Sequence, residues 1–223
     1  MKNLILAISL IATVTAMSNK GPQEMQDSAQ KHSARVFLGH ERDYQDPGLT
    51  ETKTLKVVGM SIKGFDTTSR LKINSAFNVL EKVVNSEEFK DRVINFKNTK
   101  GERAFASNKG LTNEEIYDIF MEGKETLQQD TAGEMNFFLK LYNSWWSRVI
   151  GYTSPDVNLI NINWKYFKTY RPSDVAGNLA HEWTHKIGFD HQSAAEHDSA
   201  PYAIGYIVDE MATAYLAGQI ILH

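Results

Sequence analysis

The chain has 223 residues, with 24 Lys and Arg against 27 Asp and Glu, and a formal net charge of −3 without any basic block. That balance removes nucleic acid from the expected partners. There is no cysteine, which excludes disulfides, thiolate metal ligands and a cysteine-based latency plug together.

The first residues read Met1-Lys2-Asn3, then run apolar from Leu4 to Val14 and close on Val14-Thr15-Ala16. One positive charge, a short apolar core and small residues at a cleavage point predict a secretory signal peptide over 1–16. The run is too short to span a bilayer comfortably, and no cysteine follows it to take a lipid. The expectation is a secreted or periplasmic protein with no stable membrane anchor. A secreted chain without disulfides fits a bacterial envelope or extracellular enzyme better than a small stapled module.

Residues 17–50 are polar and aperiodic, and predict a flexible arm or a short pro-segment. In the second case Asp43 or His40 would be able to reach a metal and hold the protein latent. The remainder, 51–223, is enough for one domain with a sizeable core.

Thr54 to Lys63 predicts a strand, with Val58, Met60 and Ile62 alternating along one face. Residues 66–69 offer caps for a helix over about 70–85, where Ile73, Phe77, Leu80 and Val84 recur at helical spacing. The stretch 86–97 fits strand or helix equally. Thr112-Asn113-Glu114-Glu115 is a capping box, with Leu111 and Ile116 as its staple, opening a helix to about Lys124. Glu134 to Tyr142 alternates Met135, Phe137, Leu139 and Leu141, and Asn158 to Trp164 alternates Ile160, Ile162 and Trp164; both predict strands.

Arg171-Pro172-Ser173-Asp174 opens a further helix, with Ser173 or Asp174 as N-cap. On it Val175, Leu179, Trp183 and Ile187 form an apolar stripe. At about 100° per residue the stripe lies opposite His181 and His185. A loop over 192–201 follows, then a helix over 203–222 striped by Ile204, Ile207, Val208, Met211 and Tyr215.

The chemistry concentrates in His181-Glu182-Trp183-Thr184-His185-Lys186-Ile187-Gly188-Phe189-Asp190-His191. His181 and His185 stand one helical turn apart on one face, so both imidazoles can reach one zinc at roughly 2.0–2.1 Å. Glu182 stands beside the first ligand as a candidate general base for a zinc-activated water. A continued helix would aim His191 away from that metal. Gly188, just past the last turn, can take a left-handed conformation and bend the chain so that His191 returns as third ligand. Three protein ligands with an open fourth position describe a catalytic zinc site.

At all five fixed positions this stretch resembles the long zinc motif of the metzincin metallopeptidases, H-E-x-x-H-x-x-G-x-x-H. The resemblance implies an α/β (α+β) fold: a twisted mixed sheet with an active-site helix and a C-terminal helix flanking a zinc cleft. It also implies an upper part to about residue 188 and a small lower part, 189–223. An antiparallel edge strand should line the cleft and hold peptide by backbone pairing, with residues near 148–153 or 158–164 as candidates. The family places a methionine in a tight turn beneath the metal, and here the chain departs. Met211, the only methionine after the motif, stands within a helical stripe, whereas the turn is expected at Ala200-Pro201-Tyr202. Some metzincins place a tyrosine after that methionine, near the metal; Tyr202 would be that residue, donating to a developing oxyanion. His197 is a candidate outer partner of the site or a solvated loop residue.

The function implied is a secreted zinc-dependent endopeptidase acting on peptide or protein substrates, with Glu182 and Tyr202 as catalytic residues. Two alternatives remain open: a zinc hydrolase acting on peptidoglycan cross-links, and a non-catalytic secreted binding protein on the same scaffold.

Overall fold

A computed structural model describes residues 53–127, 132–147, 150–154, 157–192 and 196–223. The expected signal peptide over 1–16 and the arm or pro-segment with Asp43 and His40 lie outside them. The order is β1 (Lys56–Lys63), α1 (Thr67–Val84), α2 (Glu87–Ile94), α3 (Asn113–Glu122), β2 (Glu134–Tyr142), β3 (Gly151–Ser154), β4 (Val157–Asn163), α4 (Trp164–Phe167), α5 (Pro172–Lys186) and α6 (Ala200–Leu216). This is a mixed α/β chain with one four-stranded mixed sheet, ordered β1-β2-β4-β3. β1, β2 and β4 run parallel, and β3 closes one edge antiparallel to β4.

β2 is the axis of the sheet. Met135, Phe137 and Leu139 are fully buried on one face, as their alternation predicts. Phe137 stacks on Phe77 of α1 at 5.6 Å and meets Trp183 of α5 edge-on at 6.1 Å. One ring thus locks the sheet to both long helices, in the offset and T-shaped geometries that aromatic pairs favour.

β1 departs from its predicted face. A bulge between Gly59 and Ser61 shifts the register, so Val57 and Ile62 pack towards the core while Met60 is 54 % exposed. Gly59 is there for room: a Cβ on it would lie 2.7 Å from the Phe77 ring.

The ambiguous stretch 86–97 is helix α2, capped by Ser86, whose side chain accepts from Phe89 N. The capping box on α3 forms as expected: Thr112 N donates to Glu115 at 2.7 Å, and Glu115 N donates to Thr112 Oγ1 at 3.2 Å. Gly123, left-handed at φ 69°, ends that helix.

Two expectations about helix starts are corrected. The N-cap of α5 is Arg171, because Pro172 takes the first helical position; Asp174 then reaches back to accept from Arg171 N at 2.8 Å. Ala200-Pro201-Tyr202 is the first turn of α6, not a tight turn, since Pro201 also suits a helix start, and Met211 is buried in that helix.

The apolar stripe of α5 is buried, with Leu179 and Trp183 at 0 % exposure. The opposite face is covered too. There α5 crosses α6 at Gly177 and Gly205, so closely that a Cβ on Gly177 would lie 2.8 Å from Gly205 O. α6 therefore runs directly over His181 and shares one core with α1, α2 and α5.

A candidate metal centre on helix α5

His181, Glu182 and His185 come from the last two turns of α5, and the end of that helix decides where His191 goes. Gly188 adopts φ 98°. Gly188 N donates to His185 O at 3.0 Å, and Phe189 N donates to Thr184 O at 2.9 Å. These two bonds are the Schellman pattern, which satisfies the last carbonyls while reversing the chain. The reversal returns His191 to the other two rings, at centroid distances of 5.3 Å from His181 and 4.9 Å from His185.

One ligand atom from each histidine lies within 4.8 Å of the others, so the three residues could hold a metal ion. His185 Nδ1 donates to Phe189 O at 2.8 Å, which leaves its Nε2 as a lone pair. That Nε2 stands 3.2 Å from Nε2 of His181. Two nitrogens on a tetrahedral zinc at 2.0–2.1 Å would be about 3.3 Å apart. Both ring nitrogens of His191 and Nδ1 of His181 are buried with no hydrogen-bond partner, an arrangement costly for imidazoles left to themselves. The donor set fits a divalent cation that takes nitrogen ligands.

The electrostatics favour the neutral ring at two of the three histidines, His181 and His191. Burial pushes His181 well below the ordinary histidine value, with His185 and His191 adding repulsion. His191 falls to about 4, by burial and then by His185. Burial pushes His185 down as well, but Asp190, Glu182 and the Phe189 carbonyl outweigh it and leave it raised. Neutral imidazole is the form a metal binds.

Glu182 is 4 % exposed, and burial raises its carboxyl above the usual range, against His185 and a hydrogen bond from the Thr153 backbone. Thr153 and Gly151 belong to edge strand β3. A Cβ on Gly151 would come within 3.8 Å of Glu182 Oε1 and 3.3 Å of Asn178 Oδ1. The bare glycine makes room for Asn161 O and Asn178, while the carboxylate lies at an ordinary contact distance from the edge strand. Of the two stretches expected to supply an edge strand, only the first does; β4 is internal.

Tyr202 is 1 % exposed and lies against two ligand rings, 4.7 Å from His181 and 4.6 Å from His191 by centroids. Burial raises its phenol, so the hydroxyl stays protonated. His197 is exposed at the rim, its ring 5.8 Å from that of Tyr202 and its Nδ1 3.4 Å from Tyr206 Oη. No family model matches this chain, and no curated protein matches it.

Other residues that set the site gave little signal in the sequence. Lys186 is buried within the motif, where its ammonium donates to Glu125 at 3.0 Å and to the Asn136 carbonyl of β2. Its own carbonyl accepts from Thr126 N and Oγ1, at 2.9 and 3.0 Å. Side chain and backbone thus tie the end of α5 to the sheet and to the loop after α3. A lysine between two ligands reads as solvated, and only the partner in space reverses that.

Proposed function

We propose that this chain is an exported zinc-dependent endopeptidase of metzincin type, with the leader in residues 1–16. The observation that carries the proposal is the convergence of three imidazoles beside a buried carboxylate, with an antiparallel edge strand against that carboxylate. His181, His185 and His191 would hold the metal. Zinc bound there would supply a Lewis acid for the scissile carbonyl and acidify a water.

Glu182 takes the proton of that water and delivers it to the departing amine. Burial raises its carboxyl, which favours holding a proton taken from water before giving it up. Thr153 N holds one end of the carboxylate, which fixes its direction. The Tyr202 hydroxyl, kept protonated, is the donor for developing oxyanion charge. β3, as an edge strand, is where an extended peptide would pair.

The test is hydrolysis of casein and of cell-wall digests by the purified protein, with and without chelator. Loss of activity on chelation, recovery with zinc, and a fall of at least about 10²-fold in kcat for Glu182→Gln are expected. Chelator-resistant turnover, or wild-type rates in Glu182→Gln, would refute the mechanism. Activity on cell-wall digests alone would move the substrate to peptidoglycan cross-links. Zinc bound with no turnover on either would return the chain to a binding role.

A further inference from the structure

We propose that Trp145 and Trp146, which follow β2, and the lysines around them form a docking surface for an anionic lipid bilayer. The inference is independent of the peptidase reading.

Trp146 is 93 % exposed and Trp145 beside it 65 %, the two most water-exposed tryptophans described. Lys168 holds its ammonium 5.4 Å above the Trp145 ring, and Lys165 reaches back from α4 to donate to Ser147 O at 3.3 Å. Tyr152, 40 % exposed on β3, meets Tyr142 at 5.6 Å on the sheet face that also carries Lys140, itself paired in register with Lys63. Exposed indoles and tyrosines thus alternate with ammonium groups across one region.

The sequence sharpens the charge argument. Between Met135 and Ser173 stand Lys140, Arg148, Lys165 and Lys168 against the single Asp156, with Arg171 neutralised by Asp174 just beyond; that leaves a surplus of three positive charges in a chain whose total is −3. Three of the four tryptophans fall in the same stretch. Segregation of that kind, in an otherwise mildly acidic chain, selects an anionic partner. Indole rings favour the headgroup layer of a bilayer, where the apolar body is buried and the N–H stays wet, and lysines beside them meet lipid phosphates. No described helix is long and apolar enough to cross a membrane, and the contact proposed is a peripheral one.

The experiment is co-sedimentation of the purified protein with phosphatidylglycerol–phosphatidylethanolamine vesicles and with pure phosphatidylcholine vesicles, following tryptophan emission. Binding to the anionic vesicles, a blue shift, and loss of binding at high salt are expected. Trp145→Ala/Trp146→Ala should lower the partition at least ten-fold and Lys165→Gln/Lys168→Gln several-fold. Trp146→Ser, at a side chain almost wholly in water, should lower it with unchanged circular dichroism and melting temperature. Equal partition of the tryptophan variants and the parent would overturn the proposal. So would retention on purified peptidoglycan without any vesicle binding.

Discussion

Replacing Gly177 by alanine sets two effects of opposite sign on one atom. Alanine in a helix interior is favoured over glycine by about 1 kcal/mol. The new Cβ, however, would lie 2.7 Å from Asp209 Cβ and 2.8 Å from Gly205 O. Carbon contacts are comfortable at about 3.5–4.0 Å, so α6 has to retreat by roughly 0.8 Å. The opposing atoms are backbone and a Cβ, which no rotamer change can move aside. Overpacking of that kind costs about 1–3 kcal/mol, occasionally more. The net loss is up to about 2 kcal/mol, or up to about 8 °C in melting temperature for a chain of this size. α6 also carries Tyr202, whose ring lies against His181 and His191, so the retreat should weaken metal binding. Thermal unfolding of the metal-free protein and competition with a chelator measure the two effects separately. Gly205→Ala should cost less, because its Cβ contacts are 3.0 and 3.1 Å. A Gly177→Ala protein that melts at or above the parent temperature would show that helix propensity dominates and that the crossing is looser than described.

Lys186→Met should destabilise by about 3–5 kcal/mol, because it leaves the Glu125 carboxylate buried alone; Lys186→Met with Glu125→Gln should recover most of that in urea titrations. Gly188→Ala puts a side chain at φ 98°, so metal affinity by chelator competition should fall more than the melting temperature of the metal-free chain does. Asp209 is raised to about 7 by burial and then by Asp174, against Arg171. A carboxyl raised on folding adds stability that is whole below its unfolded value of about 3.9 and is lost as pH rises to about 7. Asp209→Asn should therefore raise the melting temperature relative to the parent at pH 8 and match it near pH 4; an equal difference at both would contradict the buried carboxyl.

How much of this could be read beforehand depended on whether the signal was local. The histidine cluster was legible because His181 and His185 stand one helical turn apart and a glycine marks the bend that returns His191. β2 was legible to the residue, since Met135, Phe137, Leu139 and Leu141 recur at every second position. The bulge in β1 was not, because a two-against-one register belongs to the pairing with β2 and leaves no trace in β1 itself. Pro201 misled in the expected place for a turn, as proline opens helices as readily as it fills turns. The burial of α5 on both faces escaped for a similar reason: Gly177 and Gly205 look like weak helix residues until the crossing brings them together. Lys186, Glu125 and Asp209 were invisible as interior groups because charge argues for water unless a distant partner is known.

The parallel sheet has a consequence for how the chain is made. Lys56 pairs with Glu134, a partner 78 positions later. Contacts of such long range form slowly, since a large loop must close before they give anything in return. Until then β2, with Met135, Phe137, Phe138 and Leu139 close together, stands without either neighbour, for β4 is synthesised later still. A nascent strand of this composition is prone to join its counterpart on another molecule. Slow synthesis at low temperature and dilute refolding should raise the soluble yield.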